Sequence, residues 1–116
     1  MSRPKIYAVD FDGTLCSYAW PDIGRPHVIL IKFLMEERKK GNKVILWTCR
    51  VGEKLKEAVE WCEEQGLRFD TINENLPEIV EAWGSDSRKI FANEYIDDRA
   101  VHIDTMYDRL TEGCYD

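Results

Sequence analysis

Short apolar runs and longer stretches of helical periodicity alternate along the chain. Ile6-Tyr7-Ala8-Val9 is apolar and β-favouring at successive positions, the pattern of a strand buried on both faces, and it ends in an acidic, glycine-containing turn. A loop rich in turn formers (Ser17, Pro21, Asp22, Gly24, Pro26) leads to a helix predicted over 27–40. Its apolar residues reach Met35, charges run from Glu36 to Lys40, and Gly41 stops it. The charge run reads as a solvated helix end. Val44-Ile45-Leu46-Trp47 repeats the buried-strand pattern, and Glu53 to Gln65 then places Leu55, Ala58, Val59 and Cys62 on one helical face before Gly66. From Phe69 to Ile72 only alternate positions are clearly apolar, which predicts a weaker third strand. Pro77 opens a short helix through Trp83 that Gly84 ends. Ile90-Phe91-Ala92 and Tyr95-Ile96 lead into Asp97-Asp98, either as one interrupted strand or as a turn followed by a strand.

Strands separated by helix-length segments imply right-handed βαβ crossovers. The predicted architecture is therefore a single α/β domain over residues 1–116, a three-layer Rossmann-like sandwich with a central parallel sheet. A chain of 116 residues is long enough to bury well over half of its unfolded surface around one core. In open sheets of this kind, ligands sit beyond the carboxyl ends of the strands, near the point where strand order reverses. Asp10 and Asp12 follow the first strand, Thr48 the second, and Asp97 and Asp98 the fourth, so topology is expected to gather them at one edge.

Composition narrows the picture. With 44% apolar and 33% charged residues the chain is of ordinary globular type. A formal charge of -6 offers no general attraction to nucleic acid or anionic membrane, so an anionic substrate would need local cations. The cysteines, Cys16, Cys49, Cys62 and Cys114, form no Cys-x-x-Cys pair and no zinc-spaced cluster, and no apolar run has the length of a signal or membrane-spanning segment. A reduced cytoplasmic setting without a membrane partner is expected.

Candidate chemistry begins at Asp10-Phe11-Asp12-Gly13-Thr14. Alternation along an extended chain puts residues i and i+2 on one side, so Asp10 and Asp12 can converge, and Gly13 permits a sharp exit. Two carboxylates in one pocket can divide the work: Asp10 suits nucleophilic attack on phosphorus and Asp12 proton transfer, provided a cation limits their repulsion. Thr48 offers a hydroxyl and the neighbouring Cys49 a backbone N–H, two donors for phosphate oxygens. Arg50 could reach the non-transferred part of an anionic substrate or be a lone exposed arginine. Tyr18 and Trp20 could stack on a substrate ring or pack their loop onto the domain. Trp61 and Trp83 read as helix packing, and His27 and His102 as surface or capping residues.

Four segments in order, Asp10-Phe11-Asp12-Gly13-Thr14-Leu15, Leu46-Trp47-Thr48, Lys89 and Ile96-Asp97-Asp98, resemble the signatures of the haloacid dehalogenase-like hydrolase superfamily across residues 5–99. The resemblance implies a Mg²⁺-dependent phosphohydrolase acting on a phosphomonoester through an aspartyl phosphate. Asp10 would be nucleophile and metal ligand. Asp12 would be acid and base and would bind the metal through its backbone carbonyl. Lys89 would neutralise charge on the transferring group. Asp98 would ligate the metal, and Asp97 would hold a metal-bound water.

Members of that family often carry a cap domain, for which this chain has no room. An open site favours a substrate that forms its own lid, a partner protomer covering it, or broad small-phosphate specificity. The tail from Ala100 to Asp116 shows no strong fifth strand, and Asp104 is a poor substitute for a further outer-shell acid. Two other classes use the same residue types: a receiver-like phospho-Asp signalling module, and a catalytically silent Mg²⁺-binding module. Receivers place the acid pair first and the phosphorylated Asp later, the reverse of the order here.

Overall fold

A computed structural model describes residues 3–112 of the chain. Four strands, β1 (Ile6–Val9), β2 (Lys43–Leu46), β3 (Thr71–Ile72) and β4 (Glu94–Ile96), alternate with helices α1 (Val28–Lys39), α2 (Gly52–Glu64), α3 (Pro77–Trp83) and α4 (Ile103–Thr111). The sheet is entirely parallel, in the order β3-β2-β1-β4. Strand order therefore reverses at β1: the chain first builds outward through β2 and β3, then returns to place β4 on the other side. The architecture is the α/β sandwich that the alternating pattern predicts, and no cap domain is inserted among the described residues.

Alternation along the strands divides the core into two layers of packing. Tyr7, Val9, Val44 and Leu46 face one side, where Ile31 and Leu34 of α1 and Ala58 and Cys62 of α2 cover them. Ile6, Ala8 and Ile45 face the other, against Leu76, Ile90 and Ala92, with Ile79 of α3 packed on this layer. Burying the sheet on both faces is what near-continuous apolar strands require. Trp61 meets Phe11 edge-on at 5.6 Å and Trp83 meets Phe91 at 5.4 Å, the packing roles expected of them.

The structure corrects the sequence pattern at one helix end and decides two segments that the pattern left open. Within the charge run, Glu37 is buried and its Oε1 accepts a 2.6 Å hydrogen bond from the Tyr7 hydroxyl, so this helix end is docked on the sheet rather than solvated throughout. The segment 90–96 resolves into a turn and then β4, with the Tyr95 hydroxyl donating to the Ile90 carbonyl at 2.6 Å. The tail from 100 onward holds α4, capped by His102, whose Nδ1 accepts from the backbone N–H of Asp104 at 3.1 Å. Burial pushes the Cys62 thiol up to about 12, and Cys16 is also buried, so neither is a reactive nucleophile. Cys114 lies outside the described residues. No helix among the described residues is long and apolar enough to cross a membrane.

Candidate active site

Strand β1 ends where its backbone is held on both sides, Asp10 N–H by the Ile96 carbonyl (3.0 Å) and the Val9 carbonyl by Trp47 N–H (2.9 Å). The loops after β1, β2 and β4 consequently emerge together at the carboxyl edge. Asp10, Asp12, Trp47, Thr48, Cys49, Arg50, Asp97 and Asp98, with Tyr18, Trp20 and Arg99, line one open cavity of about 550 Å³. Residues scattered over ninety positions converge because β1 is central and β4 returns beside it, the switch point where such sheets bind ligands.

The acidic corner is built by the loop after β4. Carboxylate oxygens of Asp10, Asp97 and Asp98 all lie within 4.8 Å of one another. Alternation would send Asp97 and Asp98 to opposite faces, but β4 stops at Ile96 and the chain bends, so both reach the site. Thr14 of the β1 loop ties the two loops together: its Oγ1 accepts from the Asp98 N–H at 3.2 Å. Gly13, at φ +79°, is required here. A Cβ there would stand 2.4 Å from the Asp98 Oδ2, and the left-handed backbone itself disfavours a side chain.

Three hard oxygen donors suit a divalent cation such as Mg²⁺, which prefers oxygen ligands and retains waters. Burial, with the Asp97, Asp98 and Asp12 carboxylates adding to it, pushes the Asp10 carboxyl from the ordinary 3.8 up to about 6, while the Phe11 backbone N–H pulls it partway back. Folding thus favours protonated Asp10, and this group's contribution to ion-free stability is lost as pH rises from 3.8 through about 6. A cation relieves the repulsion only where Asp10 is ionised. Added Mg²⁺ should therefore raise the melting temperature by several degrees at about pH 7.5 and by much less at about pH 5, read by thermal scanning with and without chelator. Equal shifts at both pH values would contradict cation binding at Asp10.

Asp12 and Arg50 are placed differently from the expectation that Arg50 reaches out to a substrate anion. Arg50 is 1% exposed and engaged on every side. Its Nε donates to Asp12 Oδ2 at 2.9 Å and its Nη2 to Asp12 Oδ1 at 2.8 Å; Nη2 also donates to the Asp22 carbonyl (2.9 Å) and Nη1 to the Lys54 carbonyl (3.3 Å). The guanidinium lies between the rings of Phe11 and Trp20, 4.9 and 4.8 Å from their centroids. Bonding to Asp12 raises its already high proton affinity. Arg50 is thus neither a lone surface charge nor a substrate arm. It joins the β1 loop, the first turn of α2 and the 16–26 hairpin, because a planar fork matches a carboxylate on both oxygens.

That hairpin stands over the site. Ser17 N–H donates to the Arg25 carbonyl and Arg25 N–H to Ser17 Oγ, both at 2.8 Å. Gly24 allows the two arms to approach, since a Cβ there would lie 2.1 Å from the Ser17 carbonyl oxygen. Thr48 Oγ1 accepts from Arg50 N–H (3.1 Å), which leaves the hydroxyl proton able to donate into the cavity, and the Thr48 N–H donates to Asn73 Oδ1 (2.8 Å). Lys89 is not among the lining residues. It is exposed, with its Nζ over the Tyr95 ring at 5.7 Å from the centroid, and Tyr95 in turn packs on Trp47.

Three contributors escaped the sequence reading. Arg99 lines the cavity and stands over Tyr18 at 5.9 Å, with Nε 4.0 Å from Asp98 Oδ2; its place directly after the acidic pair was the available signal. Trp47, which the sequence places at the end of the second strand and in the Leu46-Trp47-Thr48 segment without a role of its own, also lines the cavity. Asn73, at φ 55°, holds the Thr48 loop, and nothing local in the sequence marks it.

No family model matches the chain, and no curated protein does. Among solved structures it is similar to that of a conserved protein from Bacteroides thetaiotaomicron, with 36% sequence identity, a TM-score of 0.75, and coverage of 96% of this chain and 93% of that one.

Proposed function

We propose that this chain, which belongs to the same family as the conserved Bacteroides thetaiotaomicron protein, is a Mg²⁺-dependent phosphomonoester hydrolase of the haloacid dehalogenase-like type. The observation that carries the reading is the convergence of Asp10 with Asp97 and Asp98 at the switch point of the sheet, with Thr48 lining the same cavity. Asp10, Asp97 and Asp98 would hold the cation, with the Asp12 carbonyl as the further ligand that the resemblance implies. When bound, the cation would supply charge neutralisation for the phosphate oxygens and for the nucleophile.

Asp10 attacks phosphorus, the bond to the ester oxygen breaks, and an aspartyl phosphate forms on Asp10. Thr48 donates its hydroxyl to a phosphate oxygen. The departing oxygen needs a proton, and Asp12 is the group to carry it. Both Asp12 oxygens accept from Arg50 in the observed conformation, so Asp12 must take up a proton and turn off the fork before it can donate. It then takes a proton from the water that attacks the phosphoenzyme, releasing phosphate and restoring Asp10. Arg99, rather than Lys89, stands nearest as an exposed cation on the cavity wall.

The engagement of Asp12 favours one alternative, a module that holds its phosphoryl group. If Asp12 stayed on Arg50, the phospho-Asp would lack a base for its hydrolysis. One experiment tests both readings: phosphate release from a panel of phosphomonoesters, with Mg²⁺ or chelator, alongside mass measurement of the intact protein after acid quench. Continuous Mg²⁺-dependent release is the expected result. A stoichiometric phosphoprotein without turnover would establish the holding module, and neither signal on any substrate would overturn both.

A further inference from the structure

The cavity has more room than a phosphoryl group and a cation occupy; about 550 Å³ falls within the range of clefts that take whole small molecules. Three aromatic rings contribute to its wall. Tyr18 and Trp20 project from the hairpin and Trp47 stands at the end of β2, and Tyr18 and Trp20 remain 60% and 47% exposed. Rings exposed at the mouth of a cavity offer faces on which a planar group can stack.

Two of these rings are backed from behind. Trp20 rests on the Arg50 guanidinium, which rests in turn on the buried Phe11. Trp47 leans on Tyr95, centroids 5.5 Å apart at 52°, and Tyr95 is itself held through its hydroxyl by the Ile90 carbonyl and the Ala92 N–H. Rings backed in this way lose little freedom when a ligand meets them, which is the condition for affinity from stacking. Arg50 is excluded as a reader of the leaving group, because its fork is spent on Asp12 and on two carbonyls. Recognition of the ester's non-reacting part is left to the rings and to Arg99, itself a planar cation over Tyr18.

We infer that Tyr18, Trp20 and Trp47 form a ring-binding subsite, and that the preferred substrates are phosphomonoesters whose leaving group carries a planar aromatic ring. This rests on the phosphohydrolase reading of the same site. The test is calorimetric titration of the full chain with Mg²⁺, using three probes that cannot turn over: phenylphosphonate, cyclohexylphosphonate and inorganic phosphate. The two phosphonates are close in size, are both dianions at about pH 9.5, where the titration is run, and differ in the planarity of the ring. Phenylphosphonate should bind about threefold to tenfold more tightly than cyclohexylphosphonate. Tyr18→Leu should bring that ratio towards one while inorganic phosphate binds as before, and Trp20→Leu, which also uncovers Arg50, should lower the ratio as well. Phosphate binding with equal affinities for the two phosphonates, or a ratio untouched in both variants, would overturn the subsite and leave the hydrolase reading standing. Failure of all three probes to bind would overturn both.

Discussion

Replacing Asp10 by Asn should lower Mg²⁺-dependent phosphate release by about a thousandfold or more, because the amide keeps the shape of the carboxylate and loses its nucleophilicity. The same substitution should not weaken the fold. In the ion-free protein above about pH 6, Asp10 is an ionised group close to Asp97 and Asp98, and removing its charge removes that repulsion. The melting temperature of Asp10→Asn without cation should therefore equal or exceed that of the wild type at neutral pH, while the rise produced by Mg²⁺ shrinks. Measured together, turnover and the two melting temperatures separate loss of chemistry from loss of structure. Turnover at wild-type rates in this variant would remove Asp10 as the nucleophile.

Arg50→Met should be the most damaging single change outside the acidic corner. Arg50 is fully buried with a bidentate partner, two further carbonyl acceptors and two rings, and its loss leaves Asp12 and the Asp22 carbonyl facing an apolar side chain. Breaking a buried pair from one side costs about 3 kcal/mol or more, which is roughly 10 °C in melting temperature for a domain of this size. Arg50→Lys keeps the charge without the fork and should fall between the two. The cost should be coupled to Asp12. In an Asp12→Asn background, Arg50→Met should be milder by about 1 kcal/mol or more, since the charge it would strand is already gone. Additive losses in that double-mutant cycle would show that Arg50 acts independently of Asp12, through its rings and its two carbonyl acceptors.

Much of this molecule is legible along the chain. Near-continuous apolar strands, helical stripes ending at Gly41, Gly66 and Gly84, and a proline opening α3 specify the alternating elements, because each signal depends only on neighbours within a turn or two. The order of Asp10, Asp12, Thr48, Asp97 and Asp98 after successive strands likewise predicts their convergence, since parallel topology leaves few places for strand ends to go. The weakest elements were those whose signals are not local. Strand β3 is only Thr71–Ile72, half the length its pattern suggests, and α4 occupies a tail whose sequence offered no clear strand.

What the tertiary structure alone decided is the partnership of each charged side chain. Arg50 looked like any exposed cation two residues beyond Thr48, and only folding brings it to Asp12, thirty-eight positions earlier. Lys89 occupies the right place in the order of motifs, yet its ammonium stands over the Tyr95 ring and it does not line the cavity. That the carboxylates of Asp97 and Asp98 both come within 4.8 Å of Asp10 follows from β4 ending at Ile96, which frees the chain from strict alternation. Backbone preferences and apolar periodicity act over a few residues and are written along the chain. Charge pairing and ring stacking are set by distances of a few ångströms between residues far apart in sequence, which exist only after the sheet has assembled.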